Sequence, residues 1–398
     1  MTTTQLNSTK QNPLDTPVVV IGSGLAGWSI VKEFRKLDSV TPILMVTAES
    51  GDFYAKPALS NALAHKKGPE QLVTTDAKKM VSTLGVTLLQ NTVVTKIDAA
   101  TQKVETSVGN FGYRQLVLAT GANAVTLPIA GDGASEVVSV NSLADYVALR
   151  TKLVAGARVL IIGAGLIGCE FANDLGGAGF EVHIVDPNPG PLSSLLPVQA
   201  SELLKTALSK VGVHWHLQTS VESITRESRT GLCVTLSKKE QLAVDVVLSA
   251  VGLRAQTELA KLAGAVCDRG VIVDRKLQTT LPNVFALGDN TQYAQISAGG
   301  VSRPLPYVIP IMYAAKALAQ TLVGQPTDVI FPLMPVVVKT PALPIVLVPP
   351  APAVMGEWSL VSEGIWNYAG EDGMIRGFLL MGSQTSQRAA QLKRIAVS

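Results

Sequence analysis

The chain has only three cysteines in 398 residues, Cys169, Cys233 and Cys267. They stand far apart, so the sequence holds no CxxC redox pair, no cysteine metal cluster and no disulfide framework. Charge is scarce as well, at 16% of residues, and 33 Lys and Arg against 30 Asp and Glu leave a formal net charge of +3. That excludes the broad basic footprint of a nucleic-acid binder and still permits an acidic protein partner. Long apolar runs are missing. Val18-Val19-Val20-Ile21 and Val159-Leu160-Ile161-Ile162 fall well short of the roughly 20 residues a membrane helix needs, so no integral membrane segment is expected. The start, Met1 to Thr16, is polar and lacks the apolar stretch of a secretory signal. It predicts a disordered tail on a cytoplasmic protein.

Glycine and aliphatic residues are abundant: 34 Gly, with 47% of residues hydrophobic. Such a chain buries large cores, and at about 150 residues per domain it holds two or three of them. A β-branched run from Pro17 to Ile21 leads into Gly22-Ser23-Gly24-Leu25-Ala26-Gly27 and a helical pattern from Trp28. The same order returns at Arg158 to Ile162, Gly163-Ala164-Gly165-Leu166-Ile167-Gly168 and the helix from Cys169. A repeat this long is a repeat of whole domains, and strand, glycine turn and helix in that order are the mark of a dinucleotide-binding unit. Gly22 and Gly163 allow the tight turn, Gly24 and Gly165 let a pyrophosphate approach the backbone, and Gly27 and Gly168 let helix pack on strand.

Each unit needs an acid about 20 residues past its glycines to hold the adenosine ribose. In the second unit Asp186 ends the strand Glu181 to Val185, which favours NADH over NADPH; a strand-end aspartate capping the turn at Pro187 is the alternative. In the first unit Glu49 is the only nearby acid, and it reads equally as a solvated loop residue. Between the units, Ala119-Thr120-Gly121 ends the apolar strand from Gln115. Val246 to Gly252 and Asn283 to Asp289 are two further strand-turn segments, the last with Gly288-Asp289 at its carboxyl edge. The histidines His65, His183, His214 and His216 form no ligand motif, so no metal site is expected; His214 and His216 share one face of a strand, and a metal pair there is the alternative.

The set Gly22 to Gly27, Ala119-Thr120-Gly121, Gly163 to Glu170 and Ala286-Leu287-Gly288-Asp289 resembles the FAD-dependent pyridine nucleotide-disulfide oxidoreductases. The segments Asp52 to Leu63, Cys169 to Leu175 and Pro335 to Pro341 resemble those of the rubredoxin reductases within that family. The resemblance implies an α/β fold of two Rossmann-like units, the NAD domain (127–253) inserted in the FAD domain (17–126 and 254–330), with a small α+β C-terminal domain (331–398). It implies FAD on the first unit, NADH on the second, and Asp289 on the FAD ribityl chain. Lys56, Pro57 and Lys339 would lie beside the isoalloxazine ring and Glu170 beside the nicotinamide, with Gly252 in the return loop. No residue is expected to act as an acid or base. The chain departs from the family at Leu253-Arg254-Ala255-Gln256, where Pro and Asn are usual. Asn61 follows Leu59-Ser60, so no cysteine relay is available there. The expected activity is hydride transfer from NADH to FAD and single electrons to rubredoxin, an acidic iron protein that in turn supplies an alkane hydroxylase or a detoxifying flavoprotein. The expected protein is a monomer or weak oligomer. A ferredoxin acceptor and a non-enzymatic flavin-binding role stand as alternatives. Arg376, Arg388, Lys393 and Arg394 near the end, with no Asp or Glu from Met374 on, form a locally basic segment suited to an acidic partner.

Overall fold

The computed structural model describes residues 16–227, 231–293 and 302–395. The polar tail therefore lies outside the described residues, apart from Thr16. Two parallel sheets dominate. The first runs in the order Val284–Ala286, Gln115–Leu118, Val18–Ile21, Ile43–Val46, Thr87–Leu89. Its three central strands are β-branched or aliphatic on both faces because helices cover both sides, and Val19, Met45, Leu116 and Val117 are fully buried. The second sheet runs Val213–Leu217, Glu181–Asp186, Arg158–Ile162, Val246–Ser249, again all parallel.

Each first strand feeds a helix through its glycine turn: Leu25–Arg35 in one unit and Leu166–Gly177 in the other. The chain crosses between the sheets on two short strands, Ala122–Ala124 and Leu253–Ala255, which pair antiparallel. Departure and return thus lie side by side. The unusual Leu253-Arg254-Ala255 stretch is itself the return strand, which explains the altered local sequence by its pairing with Asn123 and its neighbours.

From Val336 the chain builds a five-stranded antiparallel sheet in the order Val336–Val338, Ile345–Val348, Ile375–Met381, Ile365–Gly370, Gly356–Ser362. It ends in the short helix Arg388–Leu392. The prolines that punctuate this region in sequence fall mainly in the turns, where a missing N–H costs no ladder bond. One face of this sheet, with Val336, Val338, Ile345, Leu347, Trp366 and Leu379, shares a continuous core with the second glycine helix. That shared core fixes the C-terminal sheet against the second Rossmann unit. No helix among the described residues is long and apolar enough to cross a membrane.

Candidate functional site

The two glycine turns have the same geometry. Gly22 and Gly163 both adopt φ +107°, a conformation that side chains rarely allow. A Cβ on Gly27 would stand 1.9 Å from the Gly22 carbonyl oxygen, and a Cβ on Gly168 would stand 1.9 Å from that of Gly163. These glycines let the helix lie against the turn. By contrast, Gly24 and Gly165 face open space with no atom within 4 Å. The helix N-terminal amides therefore have an unobstructed side, the arrangement that binds a pyrophosphate. In the first turn Leu25 and Ala26 open the helix, Ser23 donates a hydrogen bond to the Thr47 hydroxyl at 2.8 Å, and Trp28 donates from its indole to the Gly51 carbonyl at 3.0 Å. These bonds lock the turn to the end of the neighbouring strand.

Gly288 sits against this helix, where its own Cβ would meet Ala26 at 2.8 Å. The next residue, Asp289, is half-buried and accepts no hydrogen bond from any described residue. Burial pushes its carboxyl up from the ordinary range, and the Lys56 ammonium opposes the shift. A carboxylate that accepts no hydrogen bond from the described residues, at a sheet's carboxyl edge, fits a polyol ligand that donates to it. Beside it the buried Asn290 amide donates to the Leu118 carbonyl at 3.1 Å and to the Thr120 hydroxyl at 3.2 Å. Asn290 thereby ties the Ala119-Thr120-Gly121 turn to the Gly288-Asp289 turn. Glu49 is exposed and accepts from the Tyr54 hydroxyl at 3.2 Å.

In the second unit the buried Asp186 accepts from the Ala164 amide at 2.6 Å and from both the backbone and side-chain nitrogens of Asn188 at 2.8 Å. It both caps the turn and braces the glycine loop. An ionised carboxylate has about four acceptor positions, so one remains for a ribose hydroxyl. Ile167 is exposed in the first turn of the helix, and Gly252 takes φ +107° with open space around it. Asp186→Ser is expected to reduce NADH selectivity and also to loosen the Gly163 loop. The check is the ratio of kcat/KM for NADH and NADPH, which should fall toward parity mainly through a higher KM for NADH.

The second glycine helix carries Glu170, Asn173 and Asp174 on one face, the spacing of neighbours on a helix, and all three are buried. Glu170 accepts from the Ser60 hydroxyl at 2.6 Å, from the Lys339 ammonium at 2.5 Å and from the Lys339 amide at 3.0 Å. Lys339 also donates to the Pro57 carbonyl at 2.5 Å and to Ser60 at 2.8 Å. Asn173 accepts from the Ala342 amide at 2.9 Å, and Asp174 accepts from the amides of Leu63 and Ala64 at 3.0 and 2.7 Å. Burial raises the Asp174 carboxyl, while the two amides and the nearby Lys339 and His65 pull it back. One helix face thus holds the segment 57–64 of the first unit and the segment 339–342 of the C-terminal sheet. Sequence reasoning singled out Glu170 and Lys339 but missed Ser60, Asn173 and Asp174. The Glu-x-x-Asn-Asp spacing on a glycine-turn helix was the available signal.

Outside this junction, Pro57, Asn61, His65, Lys67 and Lys339 are among the residues lining a cleft of about 320 Å³ whose lining includes no carboxylate. The cysteines lie away from any relay position. Cys169 is fully buried in the second helix with its thiol on the Ala164 carbonyl at 3.3 Å, and burial pushes that thiol well above its ordinary range. Cys233 and Cys267 are unpaired, and both thiols are raised by burial.

Residues 16–306 match the family model described as pyridine nucleotide-disulphide oxidoreductase. The chain belongs to that family. Residues 328–395 match a second model, described as the rubredoxin binding C-terminal domain. The chain is 40% identical over 375 residues to a rubredoxin-NAD(+) reductase of Alcanivorax borkumensis, with 94% of this chain and 96% of that protein covered. It is 37% identical to a nitric oxide reductase FlRd-NAD(+) reductase of Aeromonas salmonicida, covering 95% of this chain and 96% of that one. A ferredoxin reductase of Rhodopseudomonas palustris, 24% identical, superposes with a TM-score of 0.85 over 96% of both chains and shares the fold. Family members of this kind are FAD-dependent oxidoreductases, and the two glycine cradles with the unpartnered Asp289 fit FAD and NADH.

Proposed function

We propose that this chain is an NADH:rubredoxin reductase. When bound, FAD supplies the conversion of one hydride into two single electrons, chemistry no side chain here can perform. The residues supply position. In this reading Gly22 to Gly27 and Asp289 hold FAD, with Glu49 at the adenosine end and Ala119-Thr120-Gly121 beside the ring system. Gly163 to Gly168 and Asp186 hold NADH. Lys56, Pro57, Glu170 and Lys339 surround the reacting end. The domain division follows the crossing strands: 17–126 with 254–330 for FAD, 127–253 for NADH, and 331–398 for the partner. NADH supply places the reaction in the cytoplasm.

The observation that carries the reading is the place of Lys339. It comes from the C-terminal sheet, within the stretch matching the rubredoxin-binding model, and its ammonium sits on Glu170 of the NAD-side helix and on Pro57 and Ser60 of the FAD-side segment. A partner bound to that sheet is one side chain from both cofactor sites. The cleft beside Lys339, lined by Lys67 and His65 without an acid, supports an acidic acceptor.

On the C-terminal sheet Arg376 is engaged by Asp372 at 2.6 Å, whereas Arg388, Lys393 and Arg394 are exposed. Complementary charge speeds encounter more than it tightens the complex, and salt screens it over about 8 Å at physiological strength. Neutralising Arg388, Lys393 and Arg394 together is expected to slow rubredoxin reduction and flatten its salt dependence. Flavin reduction by NADH should stay unchanged. If acceptor turnover and its salt slope match the unmodified protein, the docking surface lies elsewhere, and equal turnover with a ferredoxin would replace rubredoxin by that acceptor.

A further inference from the structure

The second sheet brings together three histidines that are scattered in sequence. His183 on the strand Glu181–Asp186 stands in register with His214 on the edge strand Val213–Leu217, and His216 lies two residues further along the same face. The His183 and His214 rings stack with centroids 5.1 Å apart. Nδ1 of His183 faces Nε2 of His216 at 3.1 Å. The outer nitrogens are engaged on both sides: Nε2 of His183 meets Glu181 at 3.0 Å, and Nδ1 of His216 meets Glu240 at 3.1 Å.

Proton counting gives this chain its meaning. Ionised carboxylates only accept, so Nε2 of His183 and Nδ1 of His216 must both be N–H donors. In neutral imidazoles the two inner nitrogens are then both lone pairs, and they point at each other. With the rings in these orientations a positive species between them, an extra proton or a metal ion, would relieve the contact. A ligating histidine characteristically donates its other ring N–H to a carboxylate, which orients the ring and raises its basicity. Both rings here have that support. Metal–nitrogen bonds of about 2.0–2.1 Å at a tetrahedral angle separate two ring nitrogens by about 3.3 Å, so the pair needs to open by a few tenths of an ångström and each ring to tilt by roughly 35° for the lone pairs to converge on one ion. Both histidine side chains are largely buried, at 15% and 13% exposure, so little ordering remains to be done.

We infer that His183 and His216 form a two-histidine site for a borderline divalent ion such as zinc, on strands that carry none of the Glu170 and Lys339 contacts. Among the described residues no three His, Cys, Asp or Glu side chains are placed to hold one ion, so water completes the coordination. The ion staples the edge strand to its neighbour.

The test uses the FAD-loaded full chain, stripped with chelator, titrated calorimetrically with Zn²⁺, and with Cu²⁺ followed by electron paramagnetic resonance. The expected result is one ion per chain, two imidazole nitrogens on copper, and a melting temperature that rises with zinc. Both His183→Gln and His216→Gln should abolish binding. Glu240→Gln should weaken it about tenfold by removing the supporting carboxylate, and His214→Gln should leave it nearly intact. Circular dichroism in chelator checks that each variant folds, and NADH-driven flavin reduction should be unchanged in all four. Absence of zinc binding by the unmodified protein, or binding that survives loss of both His183 and His216, would overturn the inference and leave a shared proton in the gap.

Discussion

Replacing Lys339 by Met is expected to lower the melting temperature by several degrees and to slow flavin reduction by NADH. Glu170 is 5% exposed at its side chain, and among the described residues Lys339 is its only cationic partner. Removing one partner of a buried pair leaves a charge without compensation, at a cost of about 3–5 kcal/mol. The lower end applies, because Lys339 itself is 27% exposed and Glu170 keeps the Ser60 hydroxyl and the Lys339 amide. The double variant Glu170→Met with Lys339→Met should recover most of the melting temperature, since replacing both partners by apolar groups of similar shape removes the unpaired charge. It should not recover the rate, because the segment 57–60 loses the lysine that holds it. The check is a double-mutant cycle in both quantities. Additive losses in melting temperature would mean that the pair does not act as a unit.

Adding a single methyl group to each glycine cradle should have opposite consequences for the two ligands. In Gly27→Ala the new Cβ would stand 1.9 Å from the Gly22 carbonyl oxygen, so the helix must move by more than 1 Å and carry its amides away from the pyrophosphate. The protein should then purify largely without flavin. In Gly168→Ala the same clash falls on the Gly163 carbonyl at 1.9 Å. That variant should keep its FAD and lose about 100-fold in the rate of flavin reduction by NADH, the scale of a 1 Å misplacement of reacting groups. Flavin absorbance of the purified proteins and stopped-flow reduction measure the two effects. If Gly168→Ala lost flavin and Gly27→Ala kept it, the assignment of the two units would be reversed.

The repeated strand-turn-helix grammar was legible because three glycines per turn are demanded by backbone geometry, and the apolar runs by sheets buried on both faces. The antiparallel C-terminal sheet was legible only as a change of texture, since its register depends on cross-strand pairing that no local pattern encodes. Asp186 and Asp289 were visible as strand-end acids. Their different states were not: Asp186 already accepts from Ala164 and Asn188, whereas Asp289 accepts no hydrogen bond from any described residue. Asp174 and Ser60 escaped notice because a helix-face carboxylate and a loop serine gain their roles only when three distant segments meet. His214 and His216 were visible on one strand face, but the pairing of His216 with His183 was not, because His183 stands on the neighbouring strand.

The most direct test of the electron path is anaerobic mixing of the FAD-loaded protein with NADH, followed by oxidised rubredoxin, with flavin and iron absorbance recorded together. The account predicts bleaching of the flavin by one NADH per chain, then two rubredoxins reduced per chain as the flavin recovers, with the same yield after replacement of Cys169, Cys233 and Cys267 by small neutral residues. Uptake of four electrons per chain, or loss of rubredoxin reduction in the cysteine-free protein with its flavin intact, would contradict it.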